Sequence, residues 1–112
     1  MLTFNEVRSI FLSYPELKET QSGDRYSYSV RNSIHRGKLI AREIRCNQDG
    51  TFYGYISSKY MSTQTKLKYV DHTDSRGMIK IKTFSNLELH NVIRDAIFSM
   101  GHVAIDDSAT VS

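Results

Sequence analysis

Cysteine is almost missing from this sequence. Cys46 is the only one, which excludes a disulfide within the chain. The reading it leaves is a small apolar side chain, buried or half-buried. Tryptophan is absent and proline occurs once, at Pro15, so no Pro-rich linker divides the chain. No apolar run approaches the roughly 18 residues that a membrane-spanning helix needs. The opening residues MLTFNEVRSIF carry an acid early and lack the basic-then-apolar order of a secretory leader. Together these absences predict a reducing, cytoplasmic setting.

Motifs that name a reaction are missing too. QSGDR and QDGT lack the glycine density of a phosphate-cradling loop. No helix-turn-helix, zinc-finger or RNP pattern is present. Nothing in the spacing fixes a Ser-His-Asp or Cys-His constellation. Asp71-His72-x-Asp74 sets three potential metal ligands close together, but a calcium loop needs a longer acidic spacing and a terminal Glu. That stretch reads as a polar turn in which Asp caps backbone amides. No cofactor and no metal is expected.

What is there suits one domain. At 112 residues about two thirds of the unfolded chain's surface can be buried. The expected division is a globular domain over 1–105 and a flexible tail over 106–112. Hydrophobic residues make up 39%, below the usual level of about 45–50%, and seven Tyr supply much of the apolar area. Charge is unevenly spread. Residues 25–82 hold 12 Lys and Arg against 4 Asp and Glu, and the rest of the chain holds 3 against 8. The local balances of +8 and −5 give the formal +3. A basic surface on the middle of the chain follows.

Two helices are predicted from their caps. Thr3 and Glu6 have capping-box spacing, and Val7, Ile10, Phe11 and Tyr14 share one helical face. Pro15 ends that helix near Tyr14, with one further turn possible at PELKET, and QSGD reads as loop. Ser85 and Glu88 repeat the box, and Leu89, Val92, Ile93, Ala96, Ile97 and Met100 follow with helical period over about 86–100. Between the helices the period is two. Strands are predicted at 25–30, 38–46, 51–57 and 78–83, with KLKYV at 66–70 as a weaker candidate. The expected fold is α+β: a two-layer sandwich with an antiparallel meander sheet of 4–5 strands, and both terminal helices packed on one face. The other face stays open to solvent.

Register decides what that open face carries. In MIKIKT, Ile79 and Ile81 face the helices and Lys80 and Lys82 face out. In TFYGYIS, Phe52, Gly54 and Ile56 go in, and Tyr53 and Tyr55 go out. In 38–46 the preferred inward set is Ile40, Ile44 and Cys46, with Arg45 outward and Arg42 at an edge or a bulge. The candidate binding residues are therefore Arg45, Tyr53, Tyr55, Lys80 and Lys82, with Arg36, Lys38 and Tyr28 nearby. Tyr rings among cations are what single-stranded nucleic-acid binders use, the rings stacking on bases and the cations following phosphates. The same residue types also cover ordinary solvated sheets.

The leading expectation is thus a small binding module without catalysis, of bacterial or phage type by analogy of size. Its partner would be single-stranded nucleic acid or an acidic protein, and no membrane. One alternative is a homodimer that buries the sheet face. Another is a metal-free ribonuclease using His35 and His72 as acid and base.

Overall fold

A computed structural model describes residues 2–33 and 38–100. The elements run α1 Phe4–Leu12, β1 Leu17–Ser22, β2 Arg25–Val30, β3 Leu39–Cys46, β4 Phe52–Ser57, α2 Thr63–Lys68, a 3₁₀ turn at Val70–His72, β5 Met78–Lys80 and α3 Asn86–Ser99. The five strands form one sheet in the order β1-β2-β3-β4-β5, every neighbour antiparallel. This is the expected α+β meander with a helix at each end. The expected tail at 106–112 lies outside the described residues.

Both terminal helices start as their caps dictate. The Glu6 N–H donates to Thr3 Oγ1 at 3.2 Å, and the Thr3 N–H donates to Glu6 Oε1 at 2.9 Å. Ser85 and Glu88 repeat both bonds, at 3.2 and 3.0 Å. Each cap satisfies two amides that an open helix end would orphan, and losing one costs about 1 kcal/mol. Val7 and Phe11 from α1 and Leu89, Val92, Ile93, Ala96 and Ile97 from α3 are buried against the sheet. They meet Tyr28, Ile40, Ala41, Ile44, Phe52, Ile56 and Ile79 in one core.

β1 departs from expectation, because the sequence predicts a further helical turn at PELKET and loop at QSGD. Its strand is held by a two-residue turn, with Ser22 paired to Arg25 and Gly23 at φ +63°. Glycine first at positive φ is the pattern that matches the twist of a hairpin. Alternation in β1 is masked by Glu19, which points to the helix side and would look wrong there. Arg8 of α1 makes it acceptable, with Nε and Nη2 on the two carboxylate oxygens at 3.0 and 2.9 Å. Tyr28 adds an O–H bond to Glu19 at 2.7 Å. Hydrogen bonding from Arg8 holds the Glu19 carboxyl below its ordinary range, and burial pushes the Tyr28 phenol up.

The weak strand candidate at 66–70 is instead α2 and the 3₁₀ turn. Ser62 caps α2, accepting from the Thr65 N–H at 3.3 Å, and donates its hydroxyl to Asp95 of α3 at 3.1 Å. The Lys-Leu-Lys alternation had no buried side, since Leu67 is 68% exposed. β5 is also shorter than 78–83. Ile79 and Ile81 do face the core, fully buried, but the chain turns after Ile81, with the Phe84 N–H returning to the Ile81 carbonyl at 3.0 Å.

β3 resolves the register question with an extra residue. Arg42 pairs with Tyr55 and Arg45 with Tyr53, so Glu43 and Ile44 together oppose Gly54. That is a β-bulge, and Glu43 sits in it at φ +58°. Arg42 and Arg45 both face out while Ile44 faces in. Gly54 is required by the fit: a Cβ there would lie 2.3 Å from Ile44 Cδ1 and 3.2 Å from its Cα. A second register shift opposite Tyr28 and Ser29 lets Ile40 and Ala41 both be buried. Cys46 lies on the inward side opposite Phe52, as expected, but at the strand's end it is exposed and not buried.

Candidate functional site

The uncovered face consists of the residues that alternate with the buried ones. They are Lys18, Thr20 and Ser22 on β1, Arg25, Ser27 and Ser29 on β2, and Leu39, Arg42 and Arg45 on β3. Tyr53, Tyr55 and Ser57 on β4 and Met78 and Lys80 on β5 complete it. Pairing puts Tyr55 between Arg42 on one neighbouring strand and Lys80 on the other.

The two tyrosines form a fixed unit. Their rings meet edge to face at 5.3 Å and 89°, and their hydroxyls hydrogen-bond to each other. That bond holds the Tyr55 phenol above its ordinary range. The Arg45 guanidinium lies 4.9 Å from the Tyr53 ring centre, and Arg76, from the turn before β5, lies 5.1 Å from the Tyr55 ring centre. Tyr55 is left only 8% exposed. A guanidinium over a ring is attracted by the ring's negative face and stays charged.

Carboxylates near this face are already partnered. Glu43 pairs with Arg25 at 3.5 Å, and Asp74 pairs with Arg76 at 2.9 Å. Asp74 also accepts the Arg76 and Met78 amides at 2.8 and 3.1 Å, the amide-capping turn expected at DHTDSRG. Desolvation pulls its carboxyl up, but the Arg76 side chain and these amides outweigh it and lower the carboxyl. Arg42, Arg45 and Lys80 have no carboxylate partner among the described residues. At one end of the face Lys38, Arg42 and Lys59 line a hollow of about 270 Å³ with Leu39, Ser57, Tyr60 and Met78.

Of the candidates read from the sequence, Arg45, Tyr53, Tyr55 and Lys80 come together, and Lys38 joins them at the hollow. Lys82 does not. It is exposed in the turn after β5, where it and Thr83 lie beside Asn47, Thr51 and Phe52 of the β3–β4 hairpin. Tyr28 lies on the opposite side, fully buried, stacked on Phe11 at 4.2 Å and 5°. Tyr28 is therefore a core residue and not part of the open face, sharing the inner side of β2 with Tyr26 and Val30 at a period of two. Arg36 and His35 lie outside the described residues. His72 packs against Tyr69 and Phe84, with ring centres 6.1 and 5.5 Å away. Arg42, Lys18, Lys59 and Arg76 were missed. Arg42 was hidden by the bulge and Lys18 by the unread strand, while Arg76 reaches Tyr55 from a turn.

Among the described residues no three His, Cys, Asp or Glu gather as a metal site requires, and no helix is long and apolar enough to cross a membrane. Fold and face thus define a two-layer α+β domain that displays cations on the uncovered side of its sheet. The chain matches no protein-family model, no curated protein and no solved structure.

Proposed function

We propose that this protein is a binding module that holds an anionic macromolecule on the uncovered face of its sheet, without catalysis and in a reducing, cytoplasmic setting. One observation carries the reading. Arg42 and Lys80 flank Tyr55 and Arg45 lies over the adjoining Tyr53 ring, all three without a carboxylate partner among the described residues, whereas Glu43 and Asp74 are each taken by a different arginine. The carboxylates therefore fail to cancel the cations, and the face carries a positive potential that attracts anions and speeds their approach. The exposed Cys46 thiol suits a reducing compartment. Pairing this face with a second copy of itself would set like charges opposite one another, which works against a sheet-to-sheet dimer.

The test is salt elution from heparin, using two triple variants of equal charge change. Arg42→Glu, Arg45→Glu and Lys80→Glu together should abolish retention and leave the melting temperature nearly unchanged. Lys66→Glu, Lys68→Glu and Arg94→Glu, from α2 and α3, should keep most of it. Equal loss in both variants would reduce the effect to net charge and sink the face as a site.

A further inference from the structure

The uncovered face arranges its chemistry by strand. Cations without a carboxylate partner among the described residues stand on β1, β3 and β5, as Lys18, Arg42 with Arg45, and Lys80, while Arg25 on β2 is held by Glu43. Hydroxyls stand between them on β2 and β4, as Ser27, Ser29, Tyr53 and Tyr55. Alternate strands lie about 10 Å apart, twice the spacing of neighbours. We infer that the partner is double-stranded nucleic acid, gripped through the phosphates on either side of a groove. This rests on the reading of the face as an anion-binding surface.

Three features favour a duplex. The first is the state of the rings. Sequence-tolerant single-strand binding draws on bases stacked on open aromatic faces. Here Arg45 covers Tyr53, Arg76 covers Tyr55, and Tyr55 is 8% exposed. Without stacking, a flexible single strand brings only its phosphates and must still be ordered on binding. A duplex arrives ordered and carries one charge per about 1.7 Å of its axis.

The second feature is spacing. Rows of cations about 10 Å apart are commensurate with a major groove about 12 Å wide, so two rows can meet the two phosphate ridges that flank it. The serine hydroxyls lying between the rows are side chains that contact sugar and phosphate in such complexes.

The third feature is the lack of an apolar anchor. Protein interfaces rest on a buried centre rich in aromatic and apolar groups. Leu39, at 38% exposure, is the one exposed large hydrophobic residue in the sheet among those described. Beyond the hollow at Leu39, Tyr60 and Met78, an acidic protein would find charge here and little to bury, whereas a phosphate backbone needs only the charge.

Fluorescence anisotropy distinguishes the outcomes, using two labelled duplexes of unrelated sequence, their single strands, and labelled polyglutamate. The duplexes should bind with similar affinity, in the range of about 10⁻⁶ to 10⁻⁴ M near physiological salt. Their salt slope should be about −0.9 for each phosphate contacted. The Arg42→Gln/Arg45→Gln pair should reduce that slope by about 2, and Tyr53→Leu should leave duplex affinity within a factor of about two. Tenfold tighter binding of the single strands, or a tenfold loss in Tyr53→Leu, would overturn the duplex and return the rings to base stacking. Tighter binding of polyglutamate would also overturn it while leaving an anion-binding face standing. No binding of any of the probes would remove the face as a site altogether.

Discussion

The sheet's two faces come from the same five strands and carry opposite chemistry. Toward the helices stand Tyr28, Ala41, Ile44, Phe52, Ile56 and Ile79, all but sealed from water. The inward carboxylate of Glu19 is tolerated because Arg8 and Tyr28 bind it. Away from the helices stand cations and hydroxyls. Exposed large hydrophobics follow the same division: Leu12, Leu67, Val70, Leu87 and Phe98 lie on helical segments, and Leu39 stands alone in the sheet. The inner face shows what this chain does with a charge it buries: it supplies a bidentate partner. The outer face leaves three cations without one, Arg42 and Lys80 beside Tyr55 and Arg45 over Tyr53. That difference separates a structural charge from one available to a partner.

The largest expected effect comes from disturbing this separation in β3. Deleting Ile44 removes the inward residue of the bulge and leaves Glu43 at the buried position facing Gly54. An unpaired buried charge costs several kcal/mol, so cooperative unfolding in urea should disappear. Gly54→Ala should lose about 1–3 kcal/mol in the same measurement, because the new methyl meets Ile44 Cδ1 and the fixed Ile44 Cα.

Glu19→Gln tests the inner charge and should lose about 1 kcal/mol near neutral pH. Its pH dependence has a definite sign. The folded carboxyl lies below its unfolded value of about 4.3, so its contribution is present above that pH and is lost as pH falls through the folded value. Parent stability should therefore drop between about pH 5 and 3 more steeply than that of Glu19→Gln, as denaturant midpoints across that range would show.

Deleting Glu43, in contrast to deleting Ile44, should be tolerated within about 1 kcal/mol. It relieves a positive φ worth about 1–2 kcal/mol and loses an exposed Arg25 pair worth at most about 1 kcal/mol. The smallest changes should follow Arg42→Gln or Lys80→Gln, each within about 0.5 kcal/mol of the parent. Their effect should be on affinity.

The same deletion explains what could be read from the sequence. Without Glu43, the run Ala41, Arg42, Ile44, Arg45, Cys46 alternates cleanly between the faces. With it, no single register works, and Arg42 stayed unplaced. Helices α1 and α3 were legible because Thr3–Glu6 and Ser85–Glu88 are local signals whose bonds close within four residues. Strands β2, β4 and β5 were legible by their alternation. β1 was not, because the partner that makes Glu19 acceptable inside is Arg8, 11 residues away on a helix. α2 was not, because Lys-Leu-Lys imitates a strand while its stability comes from Ser62 and its tie to Asp95. Half of the site was read for the same reasons. Arg45, Tyr53, Tyr55 and Lys80 followed from period two, but only tertiary structure could place Arg76 over Tyr55 and turn an expected stacking platform into a covered ring.

The most direct measurement is a titration of the isotope-labelled protein with duplex DNA, followed by amide and side-chain NMR shifts. Shifts should concentrate on Lys18, Ser29, Arg42, Arg45, Tyr55 and Lys80, and leave Leu87, Arg94 and Phe98 on α3 unmoved. Shifts concentrated on α3, or spread evenly over both faces, would contradict an interface on the uncovered side of the sheet.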